Sequence, residues 1–236
     1  MEPLDQNMQS QFSLDRVLAE QQDFITKVYG WMSLALVITG ITAYLTATSQ
    51  AVLEFIFGIP YMFMGLLIGE VLLVIGLSAM INKMSAATAT FLFVLYSVVN
   101  GLTLSVIFLV YTQGSISLTF FVTALTFGVM SAYGYFTKKD LTSWGNLLMM
   151  ALVGLVISSI FNLFMKNEIL YWITTYAGIL IFVGLTAYDT QKIKNMNMIG
   201  ADGETARKGA IMGALTLYLD FINLFLLLLR LLGRRK

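Results

Sequence analysis

The chain has no cysteine and no histidine. The first absence removes disulfides, thiol nucleophiles and thiolate zinc sites, and the second removes imidazole acid–base chemistry. Any proton chemistry therefore runs on Asp, Glu, Lys or Tyr. Charge is scarce too: 11% of the 236 residues are charged, against about 25% in a soluble domain. A net charge of +1, from 14 basic and 13 acidic residues, lacks the basic footprint of a nucleic-acid binder. Only two prolines occur, so helices are free to run long without forced kinks. There is no P-loop, no His-Glu-x-x-His and no Gly-x-Gly-x-x-Gly. An intramembrane aspartyl protease would carry one aspartate in Gly-x-Gly-Asp, whereas Asp220 sits in Tyr-Leu-Asp-Phe. The expected class is not an enzyme, with no cofactor.

What is present is apolar. Hydrophobic residues make up 58% of the chain, with a mean hydropathy of +0.82. A spanning helix needs about 20 predominantly apolar residues. Seven stretches meet that demand or nearly so: Val28–Thr48, Ile59–Ile81, Ala86–Val110, Ser117–Phe136, Trp144–Phe164, Leu170–Asp189 and Ala210–Leu232. The links at 82–85, 111–116, 137–143 and 165–169 are short, which forces antiparallel neighbours. The pattern predicts an all-α integral membrane protein, with a polar cytoplasmic N-terminal arm (1–26) and a seven-helix transmembrane domain (27–236). The arm is acidic, with Glu2, Asp5, Asp15, Glu20 and Asp23, unlike a signal peptide. Its end, Ser13 to Asp23, reads as a helix entering the membrane, and part of the arm as disordered. A second polar segment, 190–209, holds Asn195, Asn197, Gly200, Asp202 and Gly203.

Lys and Arg concentrate on the cytoplasmic side of membrane proteins. With the N-terminus inside, Arg16, Lys27, Lys83, Lys138, Lys139, Lys192, Lys194, Arg207 and Lys208 lie inside, and Lys166 lies outside: nine against one. The C-terminal Arg230, Arg234, Arg235 and Lys236 break the pattern if the last segment crosses, which its length favours. Trp31, Trp144 and Trp172 fall near span ends, as an interfacial belt requires. Gly65-x-x-x-Gly69, Gly76, Gly128, Gly134, Gly178 and Gly184 suit close helix packing, the plainer alternative to a mobile pore-lining helix.

Three acids fall within these spans: Glu70 in the second, Asp189 closing the sixth and Asp220 midway along the seventh. A charge at the helix centre costs about 2.5–3.5 kcal/mol on insertion scales, so each demands a partner, a watery cavity or a proton. No Lys or Arg lies at comparable depth to neutralise them. Two carboxyls buried together hold one proton near neutral pH and release it as pH rises. Their oxygens also suit Ca²⁺, so proton and cation would compete there. Plainer readings stand beside this one. Asp189 can pair locally with Lys192, while Thr216, Asp220 and Asn223 share a helix face as a hydrogen-bond seam. Glu70 can be a protonated acid bonded to backbone, and Asn100 and Asn162 serve as interhelical glue.

Tyr188-Asp189-Thr190-Gln191, Leu217-Tyr218-Leu219-Asp220-Phe221-Ile222-Asn223-Leu224-Phe225 and Lys27-Val28-Tyr29-Gly30-Trp31-Met32 together resemble the Bax inhibitor-1 family, on its bacterial side. The resemblance spans essentially all of the chain after the arm. It implies two three-helix layers around a central C-terminal helix, in the plasma or inner membrane. It also implies a pH-sensitive Ca²⁺ leak, with Asp189 and Asp220 as the gating and Ca²⁺-binding pair and Glu70 as the family's acid of the second helix. An arginine latch in some members would here be replaced by Lys83, which offers only single-point contact. A different implication is a non-channel regulator that binds a membrane-bound protease, using the polar arm. One demand is geometric. Counted from the 190–209 loop, Asp220 lies about 15 Å into its helix and Asp189 about 5 Å. Pairing requires the sixth helix to continue towards Lys194, or the two helices to tilt.

Overall fold

In lipid a backbone amide has no partner but its own chain, and apolar runs of this length close their hydrogen bonds as helices. The computed structural model describes residues 3–196 and 201–236, with side chains from Val17 onward. The side chains of Glu2, Asp5, Asp15 and Arg16, and residues Asn197 and Gly200, lie outside that description. The helices are α1 (Pro3–Thr48), α2 (Gln50–Gly58), α3 (Met62–Met80), α4 (Ala86–Leu104), α5 (Val106–Val110), α6 (Gln113–Phe136), α7 (Thr142–Met165), α8 (Glu168–Lys194) and α9 (Gly203–Leu232). Seven segments are long and apolar enough to cross a membrane, with α4 and α5 counting together as one. The expected all-α membrane fold is the fold observed.

The differences from the sequence reading have local causes. α1 runs without a break across Thr26 and Lys27, so the end of the arm is a continuation of the first span. The short α2 lies between the first two spans, and the second span begins at Met62 rather than Ile59. Pro60 precedes Tyr61, which takes a left-handed φ of 66° at the N-cap of α3. The third span is interrupted at Ser105, whose hydroxyl donates to the Leu102 carbonyl at 2.7 Å. Such back-bonding by serine bends helices without proline. The sixth span continues to Lys194, and the seventh begins at Gly203. The polar connection therefore shortens from 190–209 to 195–202.

α9 packs against α1, α4, α6 and α8. It is the best-buried span, with 67% of its apolar window covered, against 6% for α3 and 0% for α7. α3 packs on α4 and α7 on α8. Not every glycine serves packing: a Cβ on Gly65, Gly69, Gly76 or Gly128 would meet nothing within 4 Å. By contrast, a Cβ on Gly134 would meet the Ala187 backbone of α8, and one on Gly178 or Gly184 would meet leucine side chains. Among these glycines the close-approach role belongs to those of α6 and α8 named here, not to the Gly-x-x-x-Gly of α3.

The last helix is long and apolar enough to cross. Beyond it, the Thr112 amide donates to the Arg234 carbonyl at 3.0 Å and the Lys236 amide to the Val110 carbonyl at 2.9 Å. Arg234 also donates its amide to the Ser115 hydroxyl at 3.0 Å. The C-terminal residues thus sit at the link between the third and fourth spans, on the face opposite the start of the first span.

Candidate functional site

Asp189 and Asp220 come together. Both are buried, at 7% and 5% exposure, and their carboxyls lie side by side. An ionised carboxylate is acceptor-only, so two of them bond only when one carries a proton. Asp220 Oδ2 is fully buried and accepts no hydrogen bond among the described residues. The charge of Lys192, three residues on, reaches Asp189. The two form no ion pair, so the local salt bridge is not formed. Nor is the seam on α9: the Thr216 hydroxyl and the Asn223 amide each donate to a backbone carbonyl one turn back, Met212 and Leu219.

The register explains the pairing. A Cβ on Gly213 would lie 3.5 Å from Ile193, and one on Gly178 would lie 2.8 Å from Leu227. α8 and α9 therefore run antiparallel at a fixed offset, and the start of α9 projects about two turns beyond the end of α8. On that register Asp189 lies about 6 Å deeper than Ile193, and Asp220 about 10 Å deeper than Gly213. The remaining offset of about 4 Å is closed by the side chains. Every Cα–Cβ bond leans towards its own helix N-terminus. In antiparallel helices these two lean towards each other.

The neighbourhood of the pair is held from several elements. The Gln191 amide donates to the Lys139 carbonyl at 2.8 Å, and its Oε1 accepts from the Leu141 amide at 2.8 Å, tying α8 to the start of α7. Thr190 Oγ1 lies 3.4 Å from Ser131 Oγ of α6 and 3.3 Å from the Tyr29 hydroxyl of α1. The Lys194 ammonium donates to the Tyr135 carbonyl at 2.6 Å.

Glu70 belongs to a different site, and its partners are side chains rather than backbone. Thr103 Oγ1 donates to Glu70 Oε1 at 2.5 Å and Asn100 Nδ2 to Oε2 at 3.2 Å. The Tyr218 hydroxyl donates to Asn100 Oδ1 at 2.9 Å and lies 2.7 Å from Thr39 Oγ1. Thr39 Oγ1 also lies 2.8 Å from the Ser97 carbonyl, so its one proton serves either Tyr218 or Ser97. One polar chain thus crosses α3, α4, α9 and α1. Asn100 is its central node, and Asn162 instead accepts from the Asn167 amide at 2.9 Å, near the end of α7. Asn223 lines the same cleft as Glu70, of about 690 Å³.

Lys83 does not reach the pair. It is exposed on the 3₁₀ turn Ile81–Lys83 and forms no salt bridge among the described residues. The latch expected at Lys83 is not formed. Groups of three or more acids able to cage a metal are absent among the described residues. Outside the spans, the side chain and amide of Thr142 hold the Asp140 carboxyl below the usual carboxylate range. Thr205 does the same for Asp202, the N-cap of α9.

Sequence reading missed Thr39, Thr103, Tyr218 and Gln191. Thr103 lies three residues from Asn100, on one helix face, and Tyr218 and Gln191 stand inside the aspartate-bearing motifs. Thr39 carries no such signal.

The sequence profile described as "Inhibitor of apoptosis-promoting Bax1" matches residues 21–236. The chain is 54% identical to the inner membrane protein YbhL of Escherichia coli (strain K12), over 91% of this chain and 93% of that protein. It is 47% identical to an uncharacterised protein of Borreliella burgdorferi, over 90% and 92% of the two chains. It is also 44% identical to RP147 of Rickettsia prowazekii, over 90% of each. With two buried aspartates in contact on α8 and α9 and a profile covering nearly the whole chain, this multi-pass membrane protein belongs to the Bax inhibitor-1 family.

Proposed function

We propose that this chain is a pH-sensitive Ca²⁺ leak channel of a bacterial inner membrane, with Asp189 and Asp220 as its proton sensor and ion site. The observation that supports this reading is the contact between two buried carboxyls that lack a paired cation among the described residues. When the pair shares a proton, one carboxyl donates to the other and α8 and α9 are bridged. When that proton leaves, two like charges stand in contact in a poorly solvated place, and a cation stabilises them. Ca²⁺ prefers 6–8 oxygen ligands, and two carboxylates supply at most four. The pair therefore suits a passing ion that keeps part of its water, not a resident one. Because Ca²⁺ needs the deprotonated oxygens, its occupancy falls as pH falls. The inner-membrane location follows the relative YbhL, and the distribution of Lys and Arg supports a cytoplasmic N-terminus.

The test is Ca²⁺ flux in proteoliposomes across a pH series. Asp189→Asn and Asp220→Asn are expected to change the flux and flatten its pH dependence. Unchanged flux with unchanged pH dependence in both variants sinks the mechanism.

A second reading is a regulator that binds a membrane-bound protease. It is favoured by the length of α1: its 46 residues extend about 69 Å at 1.5 Å each, more than twice the hydrocarbon thickness. Deleting residues 1–16 separates the readings, since a channel keeps its flux and a regulator loses its partner.

A further inference from the structure

We infer that the cleft between α3 and α7 binds a membrane-dissolved amphiphile with a single ammonium head, which the Glu70 carboxylate receives. The site is separate from the Asp189–Asp220 pair. α3, one of the two least buried spans, forms one wall, α4, α5 and α9 form the floor, and α7 contributes Val156. Its volume of about 690 Å³ falls within the roughly 300–1,000 Å³ of small-molecule sites. The lining is mostly apolar, with Leu67 from α3, Val156 from α7 and Leu226 from α9, and the polar groups gather around Glu70, Asn100, Thr103 and Asn223. A long apolar body with one polar end matches that distribution.

The charge of the head follows from the acceptors. A carboxylate has about four lone-pair sites, and Asn100 and Thr103 take one on each oxygen of Glu70. The remaining sites accept further donors. Asn223 donates one of its two amide hydrogens to the Leu219 carbonyl, and its Oδ1 accepts no hydrogen bond among the described residues, which leaves a second acceptor in the cleft. An ammonium brings three donors and no acceptor. Glu70 has no salt bridge among the described residues, and the cleft is lined by no Lys or Arg. A zwitterionic lipid head does not fit, because its phosphate would meet no cation there. An alkyl ammonium meets the acceptors that the cleft presents.

Equilibrium binding of dodecylamine to the protein in lipid nanodiscs, corrected for empty nanodiscs, tests this, with dodecanol and dodecanoate as comparators. Dodecylamine is expected to bind about tenfold more tightly than dodecanol. Glu70→Gln should remove that preference, and Val156→Trp, which fills the cleft from an exposed helix face, should weaken binding by a similar factor. If Glu70→Gln does not fold, Val156→Trp decides alone. Equal binding of dodecylamine and dodecanol by the wild-type protein overturns the proposal. So does wild-type affinity in either variant.

Discussion

Gly134 offers a sharp test of how α6 and α8 hold the aspartate pair. A Cβ built there lies 2.9 Å from the Ala187 carbonyl carbon and 3.0 Å from its Cα, and closer still to the carbonyl oxygen. Ordinary contact is 3.4–4 Å, and the obstacle is backbone, which cannot swing aside as a side chain does. In Gly134→Ala, α8 must therefore retreat by about half an ångström or more, and overpacking of this kind costs about 1–3 kcal/mol. The helix itself gains about 0.5–1 kcal/mol from replacing glycine by alanine. Gly128→Ala on the same helix makes the same change with nothing within 4 Å, so only the gain applies. The difference between the two variants isolates the helix contact at about 1–3 kcal/mol. Denaturant or thermal unfolding of both in one detergent measures it. Ala187 is two residues before Asp189, so Gly134→Ala also displaces that carboxyl. If the two variants are equally stable, α6 and α8 do not approach as described and the register argued for the pair falls with them.

Other expectations concern the rest of the frame. Tyr218→Phe removes the link between Thr39 and Asn100 and leaves the Asn100 oxygen without its donor. A loss of about 1–3 kcal/mol is expected, and unfolding at wild-type denaturant concentration would argue that the chain of polar groups is not formed. Topology reporters fused to the two termini should report opposite faces of the membrane, and the same face for both would contradict a crossing α9. Asp202 caps α9 through a 2.6 Å bond from the Thr205 amide. Its folded carboxyl titrates below the ordinary value of 3.8, so the cap is intact above that value and is lost as pH falls through the lowered one. Protection of the first-turn amides of α9, taken relative to unstructured amides at the same pH, should fall only in that acid range in the wild type. That protection should be low at every pH in Asp202→Ala, and high throughout in Asp202→Asn.

Hydropathy alone determined the seven spans, because lipid penalises any unpaired backbone amide and so leaves a long apolar run one structure to adopt. It also singled out Asp220 and Glu70, since a carboxylate in such a run is too costly to be incidental. Span edges were less legible. α8 continues past Asp189 to Lys194 through residues polar enough to read as loop, because Gln191 and Lys194 find carbonyl partners on neighbouring elements. Whether Asp189 meets Asp220 was a matter of register between α8 and α9, and register is set by contacts such as Ile193 against Gly213, which no local pattern encodes. The partners of Glu70 come from α4, and the group that joins them to α1 comes from α9. Lys83 occupies the place after the second span where the resemblance puts a latch, yet it forms no salt bridge with either aspartate. Composition determined which groups had to be buried; tertiary packing decided which of them meet, because hydrogen bonds act over about 3 Å and only the packed helices bring distant residues that near.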